Sequence, residues 1–280
     1  MPITIRPVQP KIGAEISGID LCQPLADTDL KALRTAWVKY GVLFFRNQPI
    51  SRERHIEFGR LFAELFPPVA PRYFNDYPEI HSVITDGIRN EGAANIWHAD
   101  LTCFPRPSAG SILKAYAIPS LGGDTVFSSA VAAYAGLSDE VKARIRNLRA
   151  VHDVAKTLAG KAAPDKVAEM KAQLPPVERP VVRIHPESGV PVLYVNEGFT
   201  THIVGISTAE SDSLLSHLFE QIKKPEYQVR FAWQVDSIAF WDNRQVQHYA
   251  VTDYNEPRHL ESVVLLDDQP FGFDQVEKEC

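Results

Sequence analysis

The sequence predicts a mainly β fold with flanking helices, an antiparallel β core decorated from outside. Two observations carry this. Short runs rich in Val, Ile, Phe and Trp crowd the middle and end of the chain, and segments of helical periodicity are set early and between them. With 280 residues and 45 % hydrophobic content, the chain can fill one sizeable core, and residues 1–280 are read as a single domain.

Ile3, Ile5 and Val8 suggest a first strand, and residues 13–18 a turn-rich passage into the first helix. That helix follows from Leu30, Leu33, Trp37 and Tyr40 at helical spacing, with Asp27 or Thr28 as cap and Gly41 at its end. Val42–Phe45 reads as a buried strand, and Ser51 opens a second helix with Ile56, Leu61, Phe62 and Leu65 on its apolar face. Strands are expected at Ile80–Thr85 and Ile112–Ile118, a turn at Pro119–Thr125, and short helices over 130–137 and 138–148. Residues 155–178 carry Lys156, Lys161, Lys166 and Lys171 among small residues, so they form either a flap or a plain solvated connection. Val181–Ile184 and Val192–Val195 predict a hairpin. Ser207 and Glu210 make a capping box for an amphipathic helix through Ile222, and strands close the chain at 229–233, 237–241 and 259–266.

The net charge of −6 comes without a long charged block, which argues against nucleic acid and against a polybasic membrane contact. Cys22, Cys103 and Cys280 are odd in number and far apart, so neither a disulfide framework nor a zinc knuckle is expected. No apolar run reaches the roughly 18 residues of a membrane span, and the start lacks a secretory pattern. A cytosolic protein handling a small molecule fits best.

The chemistry centres on Trp97-His98-Ala99-Asp100. On an extended chain His98 and Asp100 point to one side and can share a ligand. A second, distant histidine would complete the two-His, one-carboxylate set that holds non-haem Fe(II) with open positions opposite. His248, just beyond Trp241-Asp242-Asn243-Arg244, is a candidate, although periodicity alone does not choose it over His202 or His259. His55, His81, His152, His185 and His217 read as ordinary surface or core histidines. Arg258, ten positions after His248, has the shape to grip a carboxylate through two parallel hydrogen bonds. An open iron site beside such an arginine suits a 2-oxo acid cosubstrate.

In their order, Ile12–Gly18, Trp97–Asp100, Gly122–Thr125, Val195–Thr200, Trp241–Arg244, Gln247-His248 and Arg258 resemble the taurine dioxygenase/TfdA family of Fe(II)- and 2-oxoglutarate-dependent oxygenases along nearly the whole chain. The resemblance implies a double-stranded β-helix (jelly-roll) core. It implies His98, Asp100 and His248 as iron ligands, Thr125 and Arg258 on the distal carboxylate of 2-oxoglutarate, and Trp241 in the wall of that pocket. It also implies O2 as cosubstrate, succinate and CO2 as products, and hydroxylation of an unactivated C–H bond. Relatives form dimers and tetramers, and a homodimer or homotetramer is carried over by that analogy.

The sequence also departs from those relatives. Ser262 stands where several carry a substrate-binding arginine, Leu65–Ala70 where the taurine enzyme places a histidine and a tyrosine, and Ala94 where it has an asparagine. An anion facing serine and apolar groups would lose several kcal/mol of solvation. A larger or less acidic substrate than taurine is therefore expected, bordered by Ala94, Leu101, Phe104, Phe199 and Ser262, unless Arg72, Arg89 or His202 reaches in. The alternatives are a non-catalytic sensor of a small acid and a zinc hydrolase built on the same triad. The role of Arg244 stays open between serving the site and capping its turn.

Overall fold

A computed structural model of the chain describes residues 2–66, 76–87, 95–158 and 163–275. Strand β1 (Thr4–Pro7) pairs with β2 (Ala14–Ser17), so the passage read as turn-rich is a strand between the positive-φ residues Gly13 and Gly18. Helix α1 (Asp27–Tyr40) starts one residue earlier than its acidic residues suggested. Its cap is Ala26, with no side-chain bond, and Gly41 closes it at φ 74°. β3 (Val42–Phe45) and α2 (Arg52–Arg60, capped by Ser51) follow as the pattern predicts.

β4 (His81–Thr85), β5 (Ser108–Ala117) and β6 (Thr125–Ser129) lead to the short helices α3 (Ala130–Ala135) and α4 (Asp139–Ile145). β7 (Arg149–His152) was not foreseen. The described residues of the segment 155–178 are mostly helix, with α5 (Ala155–Leu158) and α6 (Pro164–Gln173), and run into β8 (Val177–Pro180), while 159–162 lie outside the described residues. The hairpin is β9 (Val182–Ile184) with β10 (Pro191–Leu193). β11 (Thr200–Ile203) and α7 (Thr208–Ile222, capped by Ser207) come next, then β12 (Gln228–Phe231), β13 (Ile238–Asp242), β14 (Val246–Ala250) and β15 (Arg258–Leu266).

Seven strands form one sheet in the order β1-β2-β3-β13-β5-β15-β4, antiparallel except where β2 meets β3. Its central strands read as unbroken apolar runs because both faces are covered. In β3 and β13, Leu43, Phe45, Ile238 and Phe240 point to α1 and α2, where they pack with Trp37, Phe58 and Phe62. The alternate residues Val42, Phe44, Ala239 and Trp241 point the other way, onto Phe127, Val229 and Phe231 of the three-stranded sheet β12-β6-β14. Full burial of each such side chain contributes about 1.5–3 kcal/mol. Trp241 thus sits between two sheets, one strand's width from His248. Among the described residues no helix is long and apolar enough to cross a membrane.

Candidate metal centre and substrate pocket

His98 and His248 face each other in an isolated antiparallel bridge. The His98 amide donates to the His248 carbonyl at 3.1 Å, and the His248 amide to that of His98 at 2.8 Å. This exchange fixes two side chains 150 positions apart on one side of the local sheet, with ring centroids 4.2 Å apart. Gly198 makes the approach possible. A Cβ there would meet the His98 Cβ at 2.8 Å, and Gly198 is held by its amide on the Trp97 carbonyl. Asn196 braces the same loop, its Oδ1 accepting from the Phe199 amide at 2.9 Å.

Asp100 joins the pair by a different route from the simple alternation expected of an extended chain. It opens a turn in which Leu101 takes φ 56°, and the Phe104 amide closes on the Leu101 carbonyl at 3.0 Å. A left-handed non-glycine residue costs roughly 1–2 kcal/mol, and buried Arg179 of β8 offsets it. Its guanidinium donates to the carbonyls of Thr102, Phe104 and Pro105, clamping the turn.

The ligand atoms of His98, Asp100 and His248 all lie within 4.8 Å of one another. Asp100 Oδ1 is 3.6 Å from His98 Nε2 and 3.5 Å from His248 Nε2, too long for hydrogen bonds. His98 Nδ1 contacts the Ile96 carbonyl at 2.7 Å, which makes Nδ1 the protonated nitrogen and leaves the Nε2 lone pair directed at the carboxylate. Asp100 Oδ2 is taken by Ser111 Oγ (2.7 Å) and Asn243 Nδ2 (3.0 Å), so Oδ1 remains for the centre. Two imidazole nitrogens and a carboxylate oxygen thus converge, a donor set that suits a cation.

Burial works against ionising Asp100, but the two imidazoles and the bonds from Ser111 and Asn243 outweigh it and hold its pKa below the usual carboxylate range. For His248, burial first and His98 second lower the pKa to about 3, against a pull upward from Asp100. The ring is neutral at physiological pH, as a ligand must be.

Thr125 lies on β6, the strand paired with that of His248, and Arg258 opens β15 of the facing seven-stranded sheet. In the β14–β6 ladder His248 opposes Phe127 and Ala250 opposes Thr125. Thr125 Oγ1 accepts from Trp233 Nε1 at 3.0 Å. Arg258 is 4 % exposed, donates Nε to the Gly123 carbonyl at 3.1 Å, and has no ion pair among the described residues. Burial lowers its pKa. A buried guanidinium lacking a carboxylate is costly unless an anion joins it.

A pocket of about 500 Å³ opens over His98 and Asp100. Leu101, Phe104 and Phe199 line it, as do Val154, Met170 and Leu174. Ser262 is not among these lining residues. It is 8 % exposed on β15, opposite Leu113 on one side and His81 on the other. Ala94, Arg72 and Arg89 lie outside the described residues, as do 67–70 of the divergent loop, while His202 is exposed on β11 away from the pocket.

Asn243 is a site residue that the sequence pattern alone does not assign: its side-chain amide holds Asp100 through both the carboxylate and the backbone, the latter at 3.1 Å. Its position directly after a buried strand in Trp-Asp-Asn-Arg was the available signal. His81, read as an ordinary histidine, shares the inward face with Ser262 and feels the Asp100 charge. Arg244 is resolved in favour of the turn. It pairs with Asp242 at 2.8 Å and Glu187 at 2.8 Å, and lies 4.6 Å over Trp37 on the helix side of the sheet.

The family model "Taurine catabolism dioxygenase TauD, TfdA family" matches residues 4–264. The alpha-ketoglutarate-dependent sulfate ester dioxygenase of Pseudomonas putida is 34 % identical, over 98 % of this chain and 93 % of its own. A taurine dioxygenase from Burkholderia xenovorans superposes with TM-score 0.84 at 34 % identity, covering 97 % of this chain and 93 % of that one. AAD-2, solved with Mn(II) and N-oxalylglycine, gives 0.83 at 28 % identity, covering 96 % and 99 %. The chain is a member of the TauD/TfdA dioxygenase family.

Proposed function

We propose that this protein is an Fe(II)- and 2-oxoglutarate-dependent dioxygenase acting on a substrate other than taurine, within a double-stranded β-helix whose walls are the two facing sheets. The observation that carries the reading is the convergence of His98 Nε2, His248 Nε2 and Asp100 Oδ1 within 4.8 Å. Those three atoms would hold the iron by one face. Arg258, assisted by Thr125, would bind the distal carboxylate of 2-oxoglutarate, and Trp241, its ring tilted against that of His248 with centroids 4.8 Å apart, would wall that pocket. When bound, iron, cosubstrate and O2 supply the oxidation, turning 2-oxoglutarate into succinate and CO2 and the substrate C–H into C–OH.

This chain's own residues position and exclude. Ser111 and Asn243 keep Asp100 ionised and aimed, Gly198 seats His98, and Leu101, Phe104, Phe199 and Leu174 keep the pocket dry. The apolar lining favours a substrate with a longer apolar body than taurine's, and the likeness to a sulfate ester dioxygenase favours an alkyl sulfate, whose charged head needs a cationic partner beyond that lining. Hydroxylation at the carbon bearing the sulfate oxygen would give an unstable adduct that falls apart to an aldehyde and inorganic sulfate.

The test is succinate release by purified protein with Fe(II), ascorbate, 2-oxoglutarate and O2, accelerated by an alkyl sulfate and abolished in Asp100→Ala. Binding of 2-oxoglutarate with no succinate under any condition would point to the sensor. Oxygen-independent activity with zinc would point to the hydrolase.

A further inference from the structure

Helix α6 has an unusual relation to the rest of the fold. Its sequence, Pro164–Gln173, is rich in Lys, Glu and Ala, and its last turn carries the apolar side chain of Met170, with Leu174 just beyond it. Residues four apart share one side of a helix end, and Met170 and Leu174 both reach the pocket that contains His98 and Asp100. Neither belongs to a hydrophobic core cluster. Met170 keeps 38 % of its surface exposed. Gln173 also lines the pocket, and its amide bonds to Glu169 at 3.4 Å on α6 itself. The apolar side of this helical end therefore has the substrate pocket as its main partner.

An ion pair ties α6 to the wall opposite. Lys171 Nζ lies 3.2 Å from Asp153 Oδ2, and that carboxylate is nearly buried, its other oxygen capping α5 through the Ala155 amide at 2.8 Å. Val154 and Thr157, next to this anchor, line the same pocket. The pair thus fixes the distance between the α6 wall and the wall carrying the metal-centre residues.

We infer that Met170 and Leu174 set the length of the apolar chain this enzyme accepts, with Lys171–Asp153 as the latch that holds their wall in place. The inference rests on the proposed reading of the pocket as the site of an alkyl sulfate, and it makes these two side chains the specificity determinants for the alkyl chain. A longer chain runs into Met170 and Leu174, whereas a shorter one leaves their surface against water.

The experiment is a kcat/KM profile over butyl to dodecyl sulfate, read as succinate release, for wild type, Met170→Ala, Leu174→Ala, Leu174→Trp and Lys171→Ala. The alanine variants should move the optimum to longer chains, gaining about fourfold for each additional methylene accommodated. Leu174→Trp should move it to shorter ones. Lys171→Ala should raise KM for every chain length by up to about fivefold, the scale of a half-exposed ion pair, without moving the optimum. It should also speed amide hydrogen exchange in α6 while leaving the KM for 2-oxoglutarate unchanged. Profiles of the Met170 and Leu174 variants that overlay the wild type would overturn the inference, as would a wild type whose succinate release no alkyl sulfate accelerates. Complete absence of 2-oxoglutarate turnover would instead overturn the proposed function itself.

Discussion

Replacing Asn243 with alanine should separate the architecture of the metal centre from its ligands. The Asn243 amide donates to Asp100 Oδ2 at 3.0 Å, Ser108 Oγ at 2.8 Å and Ser111 Oγ at 3.1 Å, and its oxygen accepts from the Asp100 amide at 3.1 Å and Trp241 Nε1 at 2.9 Å. Alanine leaves the last two donors without partners. An unsatisfied buried donor costs about 1–3 kcal/mol, so with two of them the folded state should lose roughly 2–6 kcal/mol. Asp100 would keep Ser111 at 2.7 Å and so remain ionised, but with freedom to rotate. Losing the group that orients a metal-binding carboxylate typically weakens metal affinity by about 10–100-fold. Thermal melting of the metal-free protein and Mn(II) titration by electron paramagnetic resonance read the two effects. Ser111→Ala, which removes one bond to the carboxylate, should lose less on both. An Asn243→Ala protein with wild-type melting temperature and Mn(II) affinity would show that this network does not hold the centre.

Arg258→Ala should raise the KM for 2-oxoglutarate about 30-fold or more, the scale of removing one partner of a buried charge pair, with Mn(II) affinity in the absence of cosubstrate unchanged. Gly123→Ala should act on the same constant more weakly, because Gly123 sits at φ 71° and a Cβ there would crowd Tyr254 Cδ1 at 3.2 Å while touching Arg258 Cδ and Nε; an unchanged KM would remove Gly123 from the cosubstrate site. Acid should destabilise the metal-free protein before its carboxylates protonate. Burial lowers the pKa of His55 to about 4 and of His152 and His248 to about 3, all below the ordinary 6.5. The unfolded chain then binds more protons than the native one, so this contribution is complete above pH 6.5 and is lost as pH falls from there towards 3. Urea unfolding between pH 7 and pH 5 should show stability falling by up to about 4 kcal/mol per pH unit once all three imidazoles charge in the unfolded state. A flat profile would mean that these rings are not buried as neutral species.

Much of the fold was legible because its strongest signals are local. Gly41, Ser51 and the Ser207-Glu210 capping box mark real helix ends, and the apolar runs of β3 and β13 are strands covered on both faces. Strands β7, β11 and β14 escaped because they are four or five residues long and carry histidine, threonine and glutamine, whose pairing is decided by partners far along the chain. The same limit applies to the histidines. Nothing beside His55 or His185 in sequence announces that each is fully buried, one on the Ile112 carbonyl at 2.8 Å and the other on Asp242 at 3.0 Å. His98, Asp100, His248 and Arg258 could be named from motif order, but the turn that delivers Asp100 depends on Arg179, 79 positions downstream of it, and could not.

A crystal of the protein grown with Mn(II) and N-oxalylglycine, read by anomalous scattering at the manganese edge, bears on the whole proposal at once. One strong peak within coordination distance of His98 Nε2, His248 Nε2 and Asp100 Oδ1, with the inhibitor's distal carboxylate on Arg258, is the predicted result. A metal bound elsewhere, or an inhibitor carboxylate that leaves Arg258 without a partner, would contradict it.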